Sequence, residues 1–262
     1  GQVRFMGDAA SRIAEDYLRV LRQLRFHAWN GKGEIDAEGL RAAAAAKDKL
    51  KTLSAERIAK EMLRLLEAGN PAPVLRVMAA TGILSALLPG ALQLPRLERL
   101  AEIEADNLFA RDGVLRLAAL LPDGGDGAHA AADALKLSNA DRTRLEQALG
   151  GAALPASLPA KEARLLLYRI GVARFRDKVL LAWAGAPKSA NALPWRMMLR
   201  MAETWERPRF ALTGLDVMQA GVKEGPDVGR VLAQVEDWWA GGDFTADEAA
   251  VRARLKSVID GA

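Results

Sequence analysis

Apolar residues recur along this chain at helical spacing in nearly every segment between breakers. Ile13, Tyr17, Leu21 and Leu24 stand at steps of four, four and three, which places them on one face of a helix. Ser54 is suited to an N-cap, Glu56 falls in the first turn, and Leu53 with Ile58 occupies the two staple positions. Asn70-Pro71 reads as N-cap and first residue of a further helix, and Ser138 with Asp141 and Thr245 with Glu248 have capping-box form. Helices are expected over about 8–29, 54–67 and 226–240, and alternating strand patterns are almost absent. The uncharged run Val77 to Pro95 contains Gly82, Pro89 and Gly90, so two core helices joined by a turn are expected rather than a membrane span. Asp123 to Gly127 reads as a plain turn, and Gly150 to Pro159 as a linker. The fold class expected is all-α, with modules at 1–69, 70–150 and 151–262.

Composition narrows the chemistry. The 262 residues are half apolar and 27% charged, and they hold no Cys and two His, which removes disulfides, thiolate nucleophiles and multi-histidine metal centres. A cytoplasmic setting and no membrane partner are expected. The chain opens with Gly1 rather than Met, as a processed or cut chain does. The net charge of +4 conceals an uneven distribution, since residues 160–210 carry 11 Lys and Arg against 4 Asp and Glu. Arg174, Arg176 and Lys178 in that zone are candidate contacts for RNA phosphates. Arginine exceeds lysine 26 to 11, which suits phosphate contacts and equally follows from genome composition. Trp195, Trp205, Trp238 and Trp239 offer either base stacking or core packing, and Trp238-Trp239 reads as the latter.

Opposite the apolar stripe of the first helix lie Arg12, Glu15, Asp16, Arg19, Arg22 and Gln23. Asp16 and Arg19, three apart, are neighbours on a helical surface. One outcome is a solvated face laced with ion pairs. The other is a base-reading pair, in which a carboxylate accepts from the exocyclic amino group of cytosine or adenine while a guanidinium donates to their ring acceptors.

RFMGDAASRIAEDYLRVLRQLRF, followed by EIDAEGL and LSAERIAKEMLRLL, resembles the neck of class II tRNA nucleotidyltransferases, the CCA-adding enzymes and related bacterial poly(A) polymerases. Their Glu-Asp-x-x-Arg motif stands here as Glu15, Asp16 and Arg19, and the resemblance makes Asp16 and Arg19 the selectors of the incoming base. A second motif, Glu56, Arg57 and Glu61, would brace that helix and the turn beside it. PVLRVMAATGILSALLPG and GVLRLAALLPD look like the family's body, and FALTGLDVMQAGVKEGPDVGRVL like its tail. The resemblance implies ATP and CTP as substrates and tRNA or another RNA 3′ end as partner. It also implies Mg²⁺ held by a catalytic head of β-sheet and paired carboxylates. No such signature occurs here, so the chain reads as neck, body and tail without that head and inactive by itself. Glu102 and Glu104, two apart on a helix, diverge and cannot share metals. The alternative from another class is a non-catalytic helical adaptor for protein partners.

Overall fold

The computed structural model describes residues 1–261. Those residues are two-thirds helical and contain no strand. The helices are α1 Ala9–Glu15, α2 Leu18–Asn30, α3 Ala37–Ala45, α4 Ala55–Leu66, α5 Ala72–Ala80, α6 Ile83–Leu87, α7 Leu94–Asp106 and α8 Gly113–Leu120. They continue as α9 Gly125–Ala134, α10 Asn139–Leu149, α11 Ala160–Ile170, α12 Val172–Gly185, α13 Leu193–Glu203, α14 Gly214–Gln219, α15 Pro226–Gly241 and α16 Glu248–Asp260. A 3₁₀ turn, Lys47–Thr52, joins α3 to α4. No helix is long and apolar enough to cross a membrane among the described residues.

The chain forms two compact units, one of Gly1–Ala156 with Asp177–Trp195, the other of Ser157–Arg176 with Arg196 onward. In the first unit α2 packs on α4, α4 on α8, and α8 also meets α7 and α10. Its core holds Leu21 and Leu24 of the stripe, Met62, Leu65 and Leu66 of α4, and Leu75, Met78 and Ile83, all buried. The α4 and α8 backbones come close at Gly113, where a β-carbon would lie 2.8 Å from the Leu63 carbonyl oxygen. In the second unit α15 packs on α11, α14 and α16 around Tyr168, Val235, Trp239 and Leu255.

The elements over 54–67 and 226–240 form as expected, and Gly82, at φ +76°, makes the turn between α5 and α6. Ser138 and Asp141 form their cap, the Asp141 N–H donating to Ser138 Oγ at 3.1 Å. Several expectations fail locally. The Ser54 side chain makes no cap hydrogen bond to α4, and the turn expected over Asp123 to Gly127 passes into α9 at Gly125. Gln23, expected on the polar face of the first helix, is buried. The helix expected over 8–29 is broken at Asp16, whose backbone is extended at φ −156° and ψ 106°. The Asp16 side chain accepts from the Leu18 N–H at 3.1 Å, so a short carboxylate competes with the helical ladder for a backbone donor. The cap of α16 is Asp247, which accepts from the Ala250 N–H at 2.8 Å, and Thr245 instead donates to the Gly242 carbonyl. The carboxylate stands at the correct distance from the free N–H groups and is the stronger acceptor.

Candidate functional site

The break at Asp16 makes the end of α1 and the start of α2 the origin of a network of alternating charge reaching α4. Arg57, in the first turn of α4, donates from Nη2 to both oxygens of Asp16, at 3.1 and 3.3 Å. Arg22 Nη1 stands 4.0 Å from the same carboxylate, and its Nε donates to Glu61 at 3.3 Å. Glu61 is 9% exposed on the buried face of α4, and its other oxygen accepts from Arg25 Nε at 2.6 Å. The order Arg57, Asp16, Arg22, Glu61, Arg25 leaves each carboxylate between two guanidiniums.

Arg19 belongs to a second, more exposed group. Its Nη1 donates to Glu15 at 2.5 Å and to the Arg12 carbonyl at 2.7 Å, while Arg12 donates to Glu15 at 2.8 Å. The hydrogen bond from Arg19, helped by Arg12, holds the Glu15 carboxyl below the usual carboxylate range. Both Arg19 bonds leave from Nη1, so they leave its Nη2 edge to other acceptors. The structure therefore brings together Asp16, Arg22, Arg57 and Glu61, and separately Arg12, Glu15 and Arg19, next to them in the chain. Glu56 lies apart, its nearest cation being Lys136 at 3.9 Å. Arg25 escaped the sequence reading. Its signal was the three-residue step Arg19, Arg22, Arg25, which follows one side of a helix.

The basic zone is less uniform than its local charge suggests. Lys188 meets Glu102 at 3.0 Å, Arg169 meets Asp237 at 3.0 Å, and Arg164 meets Asp243 through two bonds. Carboxylates distant in sequence thus neutralise part of it. Arg174 and Lys178 stand one turn apart on α12, and Arg176 falls on another side of that helix. Lys178 donates to the Gly150 carbonyl at 2.6 Å, and Asp177, buried between them in sequence, holds Arg144. Of the tryptophans, Trp195 and Trp239 are buried, Trp205 packs on the core of the second unit, and Trp238 is 40% exposed.

The residues present do not fit a two-metal site. Glu102 faces solvent with Arg99 and Lys188, whereas Glu104, two positions on, is buried against Arg116 at 2.6 Å. No group of three or more His, Asp or Glu capable of holding a metal occurs among the described residues.

A family model described as "Probable RNA and SrmB- binding site of polymerase A" matches residues 34–94, which include Glu56, Arg57 and Glu61. CCA tRNA nucleotidyltransferase 1, mitochondrial, of Homo sapiens is 24% identical over 97% of this chain and 58% of its own length. A CCA-adding enzyme of Latilactobacillus sakei is 26% identical over 90% of this chain and 59% of its own length. The Bacillus stearothermophilus CCA-adding enzyme, solved in complex with CTP, superposes with a TM-score of 0.73 at 25% identity, covering 98% of this chain and 65% of its own. The chain is similar to class II CCA-adding enzymes along nearly its whole length. It spans less than two thirds of the length of each of these relatives. Its helices correspond to the C-terminal helical region of such enzymes.

Proposed function

We propose that this chain supplies nucleotide selection and tRNA binding to a nucleotidyltransferase that adds nucleotides from CTP and ATP to an RNA 3′ end. The observation that carries it is the Asp16 carboxylate, fixed at a helix break by the Leu18 N–H and Arg57, within a chain similar to CCA-adding enzymes almost end to end. In this role Asp16 accepts from the exocyclic amino group of cytosine or adenine, and Arg19 donates to the ring acceptor beside it. Uracil and guanine present the opposite polarity on that edge and are rejected. Glu15 and Arg12 aim Arg19, while Arg57 and Glu61 hold α4 against the break. Arg174, Arg176 and Lys178 contribute to the tRNA surface. Any Mg²⁺ used by the transfer step is not held by the carboxylates described above, so no chemical step is assigned to them.

Saturation-transfer NMR with each of the four nucleoside triphosphates tests the selector assignment, because it detects weak complexes. Wild-type chain is expected to favour CTP and ATP, and Asp16→Ala to lose that preference. Loss of one good bidentate partner is worth about 1–3 kcal/mol, roughly ten- to a hundred-fold. An unchanged preference in Asp16→Ala would show that the residue makes ion pairs only. Joint reversal of Arg174, Arg176 and Lys178 to Glu should weaken tRNA binding and flatten its salt dependence. Unaltered tRNA affinity would remove these three from the RNA surface, and no affinity in either chain would leave the adaptor role.

A further inference from the structure

Two hollows of the first unit meet at Arg96. One, of about 510 Å³, is walled chiefly by Arg96, Glu98, Arg99, Glu102, Asp123 and Lys188. The other, of about 420 Å³, is walled chiefly by Leu149, Ala153, Leu154, Lys178, Leu181 and Trp195. Arg96, Asp123, Gly185 and Ala186 border both, so they form one cleft with a charged end and an apolar end. Arg96 is spent on the fold. It donates to the Ala118, Ala119 and Leu121 carbonyls at the end of α8 and to Asp123 at 2.5 Å, which uses four of its five N–H groups. At the charged end, Glu102 is shared between Lys188 and Arg99, each at 3.0 Å, and the two hold its carboxyl below the usual range. Glu98 is paired with Arg76 at 2.5 Å. Four cations thus meet three carboxylates, and the surplus positive charge lies at Arg99 and Lys188. Arg99 is four-fifths buried. Its Nε, like Nε1 of Trp195 at the apolar end, is a buried donor with no acceptor among the described residues.

We propose that this cleft is a binding site for an amphipathic monoanion, an aliphatic body carrying a single carboxylate head. The head pairs with Lys188 and Arg99, where charge-assisted hydrogen bonds have an unmatched cation to serve. The body lies against Leu149, Leu154 and Leu181 and displaces water from them. The walls favour an aliphatic body over a nucleobase. Trp195 is 2% exposed and presents no open ring face for stacking, and Lys178 is engaged with the Gly150 carbonyl. The charge favours a carboxylate over a phosphate monoester, whose second negative charge exceeds the surplus at the charged end. An apolar body fixed by a few convergent polar groups is the usual chemistry of such a cavity. The site is independent of the selector assignment of Asp16.

The experiment is titration of the whole chain with decanoate, decanol and decyltrimethylammonium, each below its micelle concentration. Proton–nitrogen correlation NMR of the tryptophan indole groups follows binding, with Trp195→Phe identifying the Trp195 signal. The expected result is a saturable shift of that signal with decanoate, roughly tenfold weaker binding of decanol and none of decyltrimethylammonium. Lys188→Glu changes an exposed side chain and should weaken decanoate roughly tenfold while leaving decanol unaltered. Ala153→Phe fills the apolar end from the exposed linker and should weaken both. Absence of any decanoate shift at Trp195 overturns the proposal. Equal affinity for all three compounds also overturns it, because the cleft would then not read the charge of the head. Decanoate affinity unchanged in both Lys188→Glu and Ala153→Phe overturns it as well, since binding would then lie elsewhere.

Discussion

Replacing Arg116 by Met should be among the most damaging single changes to the first unit. Arg116 is 1% exposed at the centre of α8. Its Nε and Nη2 reach Glu104 Oε2 on α7 at 2.7 and 2.6 Å, and its Nη1 donates to the Leu66 and Ala68 carbonyls. Those carbonyls close the C-terminal end of α4, where the last turn has no helical donors and the helix dipole is negative. One side chain therefore ties three helices and balances both a carboxylate and a dipole. Removing one partner of a buried ion pair costs about 3–5 kcal/mol, because the other charge stays buried without compensation. The carbonyls lose their donor in the same step, which places the expectation at the upper end of that range.

The loss should depend on pH. Burial already pushes the Glu104 carboxyl above the usual carboxylate range, against the attraction of Arg116. Without Arg116 it rises further. A carboxyl whose folded pKa lies above its unfolded value contributes stability below the unfolded pKa and loses it as pH rises through the folded one. Arg116→Met should thus be more destabilised at pH 8 than at pH 5, and the double variant with Glu104→Leu should recover much of the loss and its pH dependence. Urea denaturation of the four proteins at both pH values measures this. A single-variant cost below about 1 kcal/mol, or a double variant costing the sum of the singles, would refute the assignment of a mutually neutralising buried pair.

Gly113→Ala should destabilise the first unit by about 1–3 kcal/mol, because its methyl would press on the Leu63 carbonyl and force α4 and α8 apart. Gly229→Ala, within α15 with nothing inside 4 Å of the new methyl, should instead stabilise by about 0.5–1 kcal/mol; thermal melts of both variants check the opposite signs. The Arg164 hydrogen bonds hold the Asp243 carboxyl below its usual range. Its contribution is present above the unfolded aspartate pKa of about 3.9 and is lost as pH falls through the lower folded value. Asp243→Asn, which keeps a residue tolerant of the φ of +62° there, should flatten the acid sensitivity of the second unit, followed by the near-ultraviolet dichroism of Trp205 and Trp239.

Much of the fold is legible in the sequence because helical periodicity and caps are local. Ile13, Leu21 and Leu24 of the stripe, the cap at Ser138 and the proline start of α15 each need only a few neighbouring residues and appear where the pattern puts them. Tyr17 of the same stripe instead falls at the helix break and is only half-buried. The Glu15-Asp16-Arg19 spacing, read as one helical face, is divided by the break at Asp16, which joins Asp16 to Arg57 and leaves Arg19 with Glu15 and Arg12. What the sequence could not decide were interactions between residues far apart in the chain. The helix broke at Asp16 because a carboxylate that can serve the Leu18 N–H also meets Arg57, 41 residues on. Arg25 pairs with Glu61, 36 residues away, and the basic zone lost charge to Asp243, Asp237 and Glu102. Periodicity records which face is buried, but a polar group's partner is set by packing, and in a low-dielectric setting that partner determines its conformation and charge.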